Sequence, residues 1–157
     1  MDQVVRENRN LVLVGRPTEN SLLRTVNAYL PQPFAPDSDL LEPLAVDSVA
    51  FLPDPERDAG LLEISASPWG EGYSLLAITG TTDEGVQLAV QTLLDPFTLL
   101  KGNLAVVEQS LGPHSGEPNQ VSTYAVDTRP PTQTNEETSK KRPFDNDLIL
   151  LAERWWR

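Results

Sequence analysis

Two short glycine turns are the places where residue type and spacing could suit a phosphate-bearing ligand. Gly15–Asn20 (G-R-P-T-E-N) and Gly80–Gly85 (G-T-T-D-E-G) each follow an apolar run and precede an amphipathic stretch. Turns of this kind hold phosphates in doubly wound α/β proteins, because the helix N-terminus offers free N–H groups. Neither turn has the glycine pattern of a dinucleotide site, and Glu19, Asp83 and Glu84 would oppose an anion. We therefore predict two helices, capped by Thr18 and Thr82, and no nucleotide or flavin cofactor.

Catalytic and metal-binding residues are sparse. The single histidine, His114, lies in a Pro/Gly stretch with no nucleophile beside it, so a solvated loop histidine is the default interpretation. Asp37, Asp39 and Glu42 could touch a cation weakly, but they lack the glycine of a calcium loop. A solvated acidic loop explains them better. The sequence predicts a protein that is not an enzyme and has no metal site.

A tryptophan between two predicted strands is the better candidate for binding. Trp69 is flanked by Pro68 and Gly70, which places its ring at a rim rather than in the middle of a core. Such a ring can stack on a sugar or on another protein. The alternative is that it covers one end of the core. We take Trp69 as a candidate carbohydrate- or partner-binding residue, together with Tyr73, Arg16 and Asn20.

The elements that must position these residues are apolar runs and amphipathic stretches. Two copies of strand, glycine and capped helix, starting near Leu11 and near Tyr73, indicate an α/β layered domain with a mainly parallel sheet. Further strands are expected near 46–51, 61–66 and 104–108, and an edge strand at 121–126. Six residues are expected in the buried sheet: Leu11, Leu13, Leu75, Ala77, Ala105 and Val107.

Composition divides the chain into four parts. Residues 1–9 are a polar lead-in, 10–110 an α/β domain, and 111–143 a Pro/Ser/Thr-rich extension or linker. Residues 144–157 are predicted to be a short amphipathic, membrane-proximal helix with Trp155, Trp156 and Arg157 at its end. Paired tryptophans beside arginine are typical of a membrane–water interface. The alternative is an ordinary surface helix that packs back onto the domain.

Charge and cysteine usage exclude some classes of partner. The net charge is −11, and residues 1–110 carry sixteen acidic but only six basic side chains. Such a domain would repel nucleic acid and an anionic membrane surface. There is no cysteine, which excludes thiol chemistry and leaves the compartment open. No secretory signal or spanning segment is evident, and the sequence also fits an excised domain of a longer protein.

Four segments carry a resemblance to a known family. They are L-V-L-V-G-R-P-T-E-N-S-L-L from Leu11, G-L-L-E-I-S-A-S-P-W from Gly60, S-L-L-A-I-T-G-T-T-D-E-G-V-Q-L-A-V from Ser74 and K-G-N-L-A-V-V from Lys101. Over roughly residues 10–108 the chain resembles the flavodoxin-like domain of the membrane-anchored accessory (B) subunit of bacterial cellulose synthase. It is more weakly similar to S-layer-type domains. The cyclic-di-GMP link of this family cannot be carried to a residue here, because the RxxxR-type motif is missing.

The resemblance implies a fold, a location and a role. The fold would be flavodoxin-like, followed by an extended C-terminal extension and a short amphipathic helix. The chain would be a non-catalytic extracytoplasmic module that binds protein partners, such as the polysaccharide synthase catalytic subunit, or the emerging glucan. It would be tethered to the cytoplasmic membrane through a segment outside this chain. The alternatives are a small-ligand or nucleotide-binding flavodoxin-like domain and a structural cell-surface module.

Overall fold

The computed structural model describes residues 3–46, 49–51, 57–95, 100–110 and 120–128. Within these ranges the chain forms three α-helices, one 3₁₀ turn and seven strands. The helices are α1 (Gln3–Glu7), α2 (Ser21–Val26) and α3 (Asp83–Leu94), and the 3₁₀ turn is Asn27–Tyr29. The strands are β1 (Leu11–Val14), β2 (Leu44–Val46), β3 (Val49–Phe51), β4 (Ala59–Ala66), β5 (Ser74–Gly80), β6 (Leu104–Ser110) and β7 (Gln120–Val126).

Five strands form one open sheet in the order β1-β5-β4-β6-β7, and β2 and β3 form a separate antiparallel pair. Among the described strands of this sheet, only the β1–β5 pair is parallel. The pairs β5–β4, β4–β6 and β6–β7 are antiparallel. The α/β class is therefore confirmed, whereas the prediction of a mainly parallel sheet is wrong. The flavodoxin-like arrangement that the resemblance implies is not confirmed.

The connection between β4 and β5 explains this difference. Only residues 67–73 separate the two strands, and a parallel connection needs about a dozen residues or more. The Ser67 N–H donates to the Tyr73 carbonyl oxygen over 2.8 Å and closes the hairpin. Both strands are buried, so both read as apolar runs, and this pattern does not give strand direction.

The strand–helix unit predicted at β5 and α3 is present, but the strand that follows α3 does not lie next to β5. Because β4 is antiparallel to both β5 and β6, these two strands point the same way with β4 between them. The chain thus runs from β5 through α3 to β6 and passes over β4. The helix contacts all three strands.

The sheet has a hydrophobic cluster on each face. Alternate residues of a strand point to opposite faces. One face carries α3 and a cluster of Leu62, Ile64, Leu76, Ile78, Ala89, Leu100 and Ala105. The other carries α2 and two clusters, which consist of Leu11, Leu13, Leu23, Val26, Leu30, Leu75 and Ala77, and of Phe34, Leu61, Leu104 and Val106. All six residues expected in the buried sheet are buried.

The helix starts follow the capping pattern with one change. Thr82 caps α3 as predicted, since its Oγ1 accepts the Gly85 N–H over 3.0 Å. At α2 the cap is Asn20 rather than Thr18, and its Oδ1 accepts the N–H groups of Leu22 and Leu23 over 3.0 and 3.3 Å. An asparagine side chain at this position satisfies N–H groups that lack a partner within the helix.

The sheet continues past residue 110. Strand β7 pairs with β6 along its whole length, which confirms the edge strand expected at 121–126. The amphipathic segment predicted at 144–157, with Trp155, Trp156 and Arg157, lies outside the described residues, and so does His114.

Candidate functional site

The first candidate site is the edge where the parallel strands β1 and β5 end. Ligands of open α/β sheets bind at this kind of edge. Gly15 has φ of +127°, and its N–H donates to the Ile78 carbonyl oxygen over 3.1 Å. The Gly15–Asn20 turn is thereby held beside the end of β5.

Arg16 occupies this edge and binds three carboxylates. Its Nε donates to Asp83 Oδ1 over 2.8 Å, its Nη1 donates to Asp39 Oδ2 over 3.0 Å, and its Nη2 pairs with Glu19. Thr18 also holds Asp39, through its N–H over 3.1 Å and its hydroxyl over 2.6 Å. Desolvation alone would lower the pKa of Arg16, but the charges of Asp83, Glu19 and Asp39 raise it. The guanidinium joins the Gly15–Asn20 turn, the loop that contains Asp39 and the start of α3.

This geometry leaves the edge poorly suited to a phosphate. The guanidinium is already shared among three acids, and Asp83 lies in the first turn of α3, where an anion would bind. The Thr82 hydroxyl caps that helix and also donates to Asp58 Oδ1 over 2.7 Å. An anionic ligand would have to displace carboxylates that the fold itself holds in place.

We therefore expect no binding when FMN, NAD or cyclic-di-GMP is titrated into the protein by calorimetry. The physical reason is the negative charge that surrounds Arg16 and the start of α3. Arg16→Ala and Thr82→Ala serve as the matched variants. Micromolar binding to the unmodified chain that either substitution abolishes would contradict this prediction.

The glycines of the second turn have a packing role that the sequence analysis missed. A Cβ atom added at Gly85 would lie 2.3 Å from the Ala59 carbonyl oxygen, and one at Gly60 would lie 2.2 Å from the Gly85 carbonyl oxygen. A Cβ atom at Gly80 would lie 2.5 Å from the Val86 nitrogen. The backbones of β4, β5 and α3 meet here. These glycines thus allow the helix to approach the sheet closely.

The acidic residues of the loop before β2 do not form a cation site. Asp39 is held by Arg16 and Thr18, and Asp37 is an exposed residue with φ of +51°. Within the described ranges, no group of three or more His, Asp or Glu side chains could hold a metal ion.

The second candidate site is the turn between β4 and β5. Residues 66–73 line an open depression of about 390 Å³. Trp69 is half-buried and packs against the cluster that contains Leu11 and Leu75. The Arg6 guanidinium lies 5.5 Å from the centre of the Trp69 ring, within cation–π distance. The ring therefore covers an end of the core and also borders the depression, so the two interpretations of Trp69 are compatible.

The four candidate binding residues do not form a single site. Trp69 and Tyr73 precede the start of β5, whereas Arg16 and Asn20 follow the end of its parallel neighbour β1. The seven residues of β5 separate these two ends by about 20 Å. Asn20 caps α2 and its Nδ2 donates to the Val14 carbonyl oxygen over 3.3 Å. The contacts of Arg16 and Asn20 give both residues a structural role. Their predicted role in binding stays a prediction.

A buried carboxyl group on the central strand is the feature that sequence reasoning missed. Glu63 has 0 % exposure, and its Oε2 accepts the Gln32 N–H over 2.7 Å. The Thr79 hydroxyl donates to its Oε1 over 3.5 Å. Burial raises the pKa of Glu63 to about 8, and the two hydrogen bonds only partly oppose this shift. The signal in the sequence was a lone acid inside the apolar run Leu61–Ile64.

Comparisons with known proteins identify no relative of this chain. No family model matches it, and neither a curated protein nor a solved structure shows significant similarity. In the part of the chain that the structure describes, none of the helices has the length and apolar character needed to cross a membrane.

Proposed function

We propose that the chain is a non-catalytic binding module that recognises a protein partner at the turn between β4 and β5. The observation that carries this proposal is the open depression of about 390 Å³ beside Trp69. Tyr73 adds a second aromatic side chain, and Glu71 is exposed on the same turn. Aromatic residues at a partly open rim are frequent in protein interfaces because they bury a large area.

A protein partner fits this surface better than a flat glucan chain. Stacking on a sugar needs a free ring face, but Trp69 packs on the core cluster and lies beside the Arg6 guanidinium. An irregular depression can instead receive a side chain of a partner. Glucan binding is the competing ligand class, and it would require Arg6 to move away from the ring.

The biological context of the proposal rests on the resemblance described above. The partner would be the catalytic subunit of a cellulose or related polysaccharide synthase, and the module would lie outside the cytoplasmic membrane. The nucleotide-binding alternative is less favoured because acids surround Arg16 at the edge of β1 and β5. A purely structural cell-surface module would leave the turn without a binding role.

We expect that Glu71→Arg combined with Tyr73→Ala weakens binding to the purified synthase catalytic subunit by about tenfold or more. Both changes alter the turn that lines the depression, and neither changes Trp69, whose substitution could disturb the core. The matched control is Glu84→Arg, which makes the same charge change at the opposite end of the sheet. Binding is measured by biolayer interferometry with the full chain.

Three outcomes distinguish the alternatives. A loss confined to the turn variant supports the protein-binding role. Equal binding by all three proteins contradicts it. Saturable quenching of tryptophan fluorescence by cellohexaose, lost in the turn variant, would replace the protein partner with the glucan.

A further inference from the structure

The proline loop, residues 31–43, covers part of the sheet face that carries α2. Phe34 is 1 % exposed and packs with Leu61, Leu104 and Val106. The Asn27 side chain binds the Phe34 backbone twice, accepting its N–H over 2.8 Å and donating to its carbonyl oxygen over 2.7 Å. Asp39 is held at the far end by Arg16 and Thr18. None of the residues 31–43 belongs to a helix or a strand of the main sheet.

The base of the proline loop is closed by Gln32, whose side chain is fully buried. Its Nε2 donates to the carbonyl oxygens of Pro33 and Glu42 over 3.2 and 2.5 Å. The Glu42 N–H donates to the Pro33 carbonyl oxygen over 2.9 Å. The buried Oε1 of Gln32 has no hydrogen-bond partner among the described residues.

Glu63 connects this closed base to the centre of the sheet. Its Oε2 accepts the backbone N–H of Gln32, and its neighbours across the sheet are Ala77 on β5 and Leu104 on β6. The polar groups that affect its protonation are the Gln32 N–H and the Thr79 hydroxyl. No charged side chain of the described residues contributes to the pKa of Glu63. The α2 side chains on this face, Leu23 and Val26, are apolar.

We propose that Glu63 is a proton-controlled latch, which keeps the proline loop closed while its carboxyl group is neutral and opens the loop when the carboxylate forms. A neutral carboxyl group tolerates complete burial, whereas a carboxylate without a cation beside it does not. Water must then reach Glu63. We expect the proline loop to be the part that opens, because it lies outside the helices and the main sheet, whereas α2, α3 and the strands have their own backbone hydrogen bonds.

The direction of the pH dependence follows from the pKa values. Burial raises the pKa of Glu63 from 4.5 to about 8 in the folded chain. Between these two pH values Glu63 keeps its proton in the folded chain but not in the unfolded chain. The contribution of the protonated carboxyl group to the free energy of unfolding is therefore complete below pH 4.5. It decreases as the pH rises and is lost as the pH passes through about 8. The loop is therefore held most firmly below pH 4.5, and its opening becomes easier as the pH rises to about 8.

Amide hydrogen exchange, measured by mass spectrometry on the full chain at pH 5.0 and 8.5, tests the latch. The matched control is Glu63→Gln, which keeps an acceptor for the Gln32 N–H and cannot ionise. Exchange chemistry itself accelerates with pH, so the two proteins are compared at the same pH. We expect the proline loop to exchange at similar rates in the two proteins at pH 5.0, and at least about tenfold faster in the unmodified chain at pH 8.5.

Peptides from α3 separate local opening from general destabilisation. Ionised Glu63 also favours the unfolded state, so α3 exchange in the unmodified chain rises with pH as well, but α3 should stay far better protected than the proline loop at both pH values. If the proline loop of the unmodified chain exchanges no faster than that of Glu63→Gln at pH 8.5, or if the loop is as strongly protected as α3, the latch is refuted.

A second measurement covers the case in which Glu63→Gln does not fold. Carbon-13 NMR of side-chain carboxyl groups in the unmodified chain should show one glutamate that titrates near pH 8. Titration of every glutamate below about pH 5.5 would place Glu63 in the ordinary range and overturn the proposal.

Discussion

Gly85→Ala is expected to lower the free energy of unfolding by about 3 kcal/mol, although alanine is a much better helix former than glycine. The position lies in the first turn of α3, where the added Cβ atom would be 2.3 Å from the Ala59 carbonyl oxygen and 2.8 Å from its carbonyl carbon. Both atoms belong to the backbone of β4, so no side-chain rotation relieves the overlap. The helix must move away from the sheet, which opens the cluster around Leu62 and Ile78.

Urea unfolding followed by circular dichroism measures this effect, and Gln87→Ala on the exposed side of α3 is its control. The control introduces the same residue into the same helix, and its stability should stay within about 0.5 kcal/mol of the unmodified chain. Gly85→Ala would stabilise the protein if helix propensity decided the outcome. A stabilised variant would show that α3 and β4 are not in backbone contact.

Local spacing predicted the elements around Gly80 and Gly85, but it did not predict why glycine is needed at these two positions. A glycine between a strand and a helix is compatible with a phosphate site and with close packing of two backbones. The acids nearby argue against a phosphate site, and the local pattern then indicates only turns and caps. The contact of Gly85 with Ala59 brings together residues twenty-six positions apart, and periodicity within a segment contains no information on such a contact.

Strand positions could be predicted from the sequence, but the predicted relative direction was wrong for most of the strand pairs. The apolar runs at β1, β4, β5 and β6 were recognised because buried strands are short and rich in aliphatic residues. Direction depends on the connections. The short turn Ser67–Tyr73 was the available sign of a hairpin, and it should have outweighed the repeated strand–glycine–helix pattern.

The candidate binding residues show the same division between local and distant information. Trp69 was recognised as a rim residue from its neighbours Pro68 and Gly70, and the structure places it beside an open depression. Its contact with Arg6 was not foreseen, because α1 was expected to be an irregular lead-in. Glu63 was passed over because the apolar residues around it dominated the pattern, while its partner Gln32 lies thirty-one positions earlier.

Leu75→Ala is expected to cost about 2–5 kcal/mol of the free energy of unfolding. Leu75 has 0 % exposure and lies on β5, where its register partners are Leu11 on β1 and Ser65 on β4. Its side chain belongs to the cluster that joins the sheet to α2. Truncation removes buried methyl groups and leaves a cavity that the paired strands on both sides cannot close. Since small domains have about 5–15 kcal/mol in total, this one change would remove a large share.

Leu94→Ala is the matched control for Leu75→Ala, because it removes the same atoms from a side chain that is 60 % exposed at the end of α3. We expect it to change the free energy of unfolding by no more than about 0.5 kcal/mol. The two variants are compared by urea unfolding. An equal dependence of the free energy of unfolding on urea concentration shows that both unfold in the same transition. A cost at Leu75 as small as the cost at Leu94 would mean that Leu75 is not packed between the sheet and α2. A large difference supports the packing of α2 on the β1–β5 pair, which also holds the turn that contains Arg16.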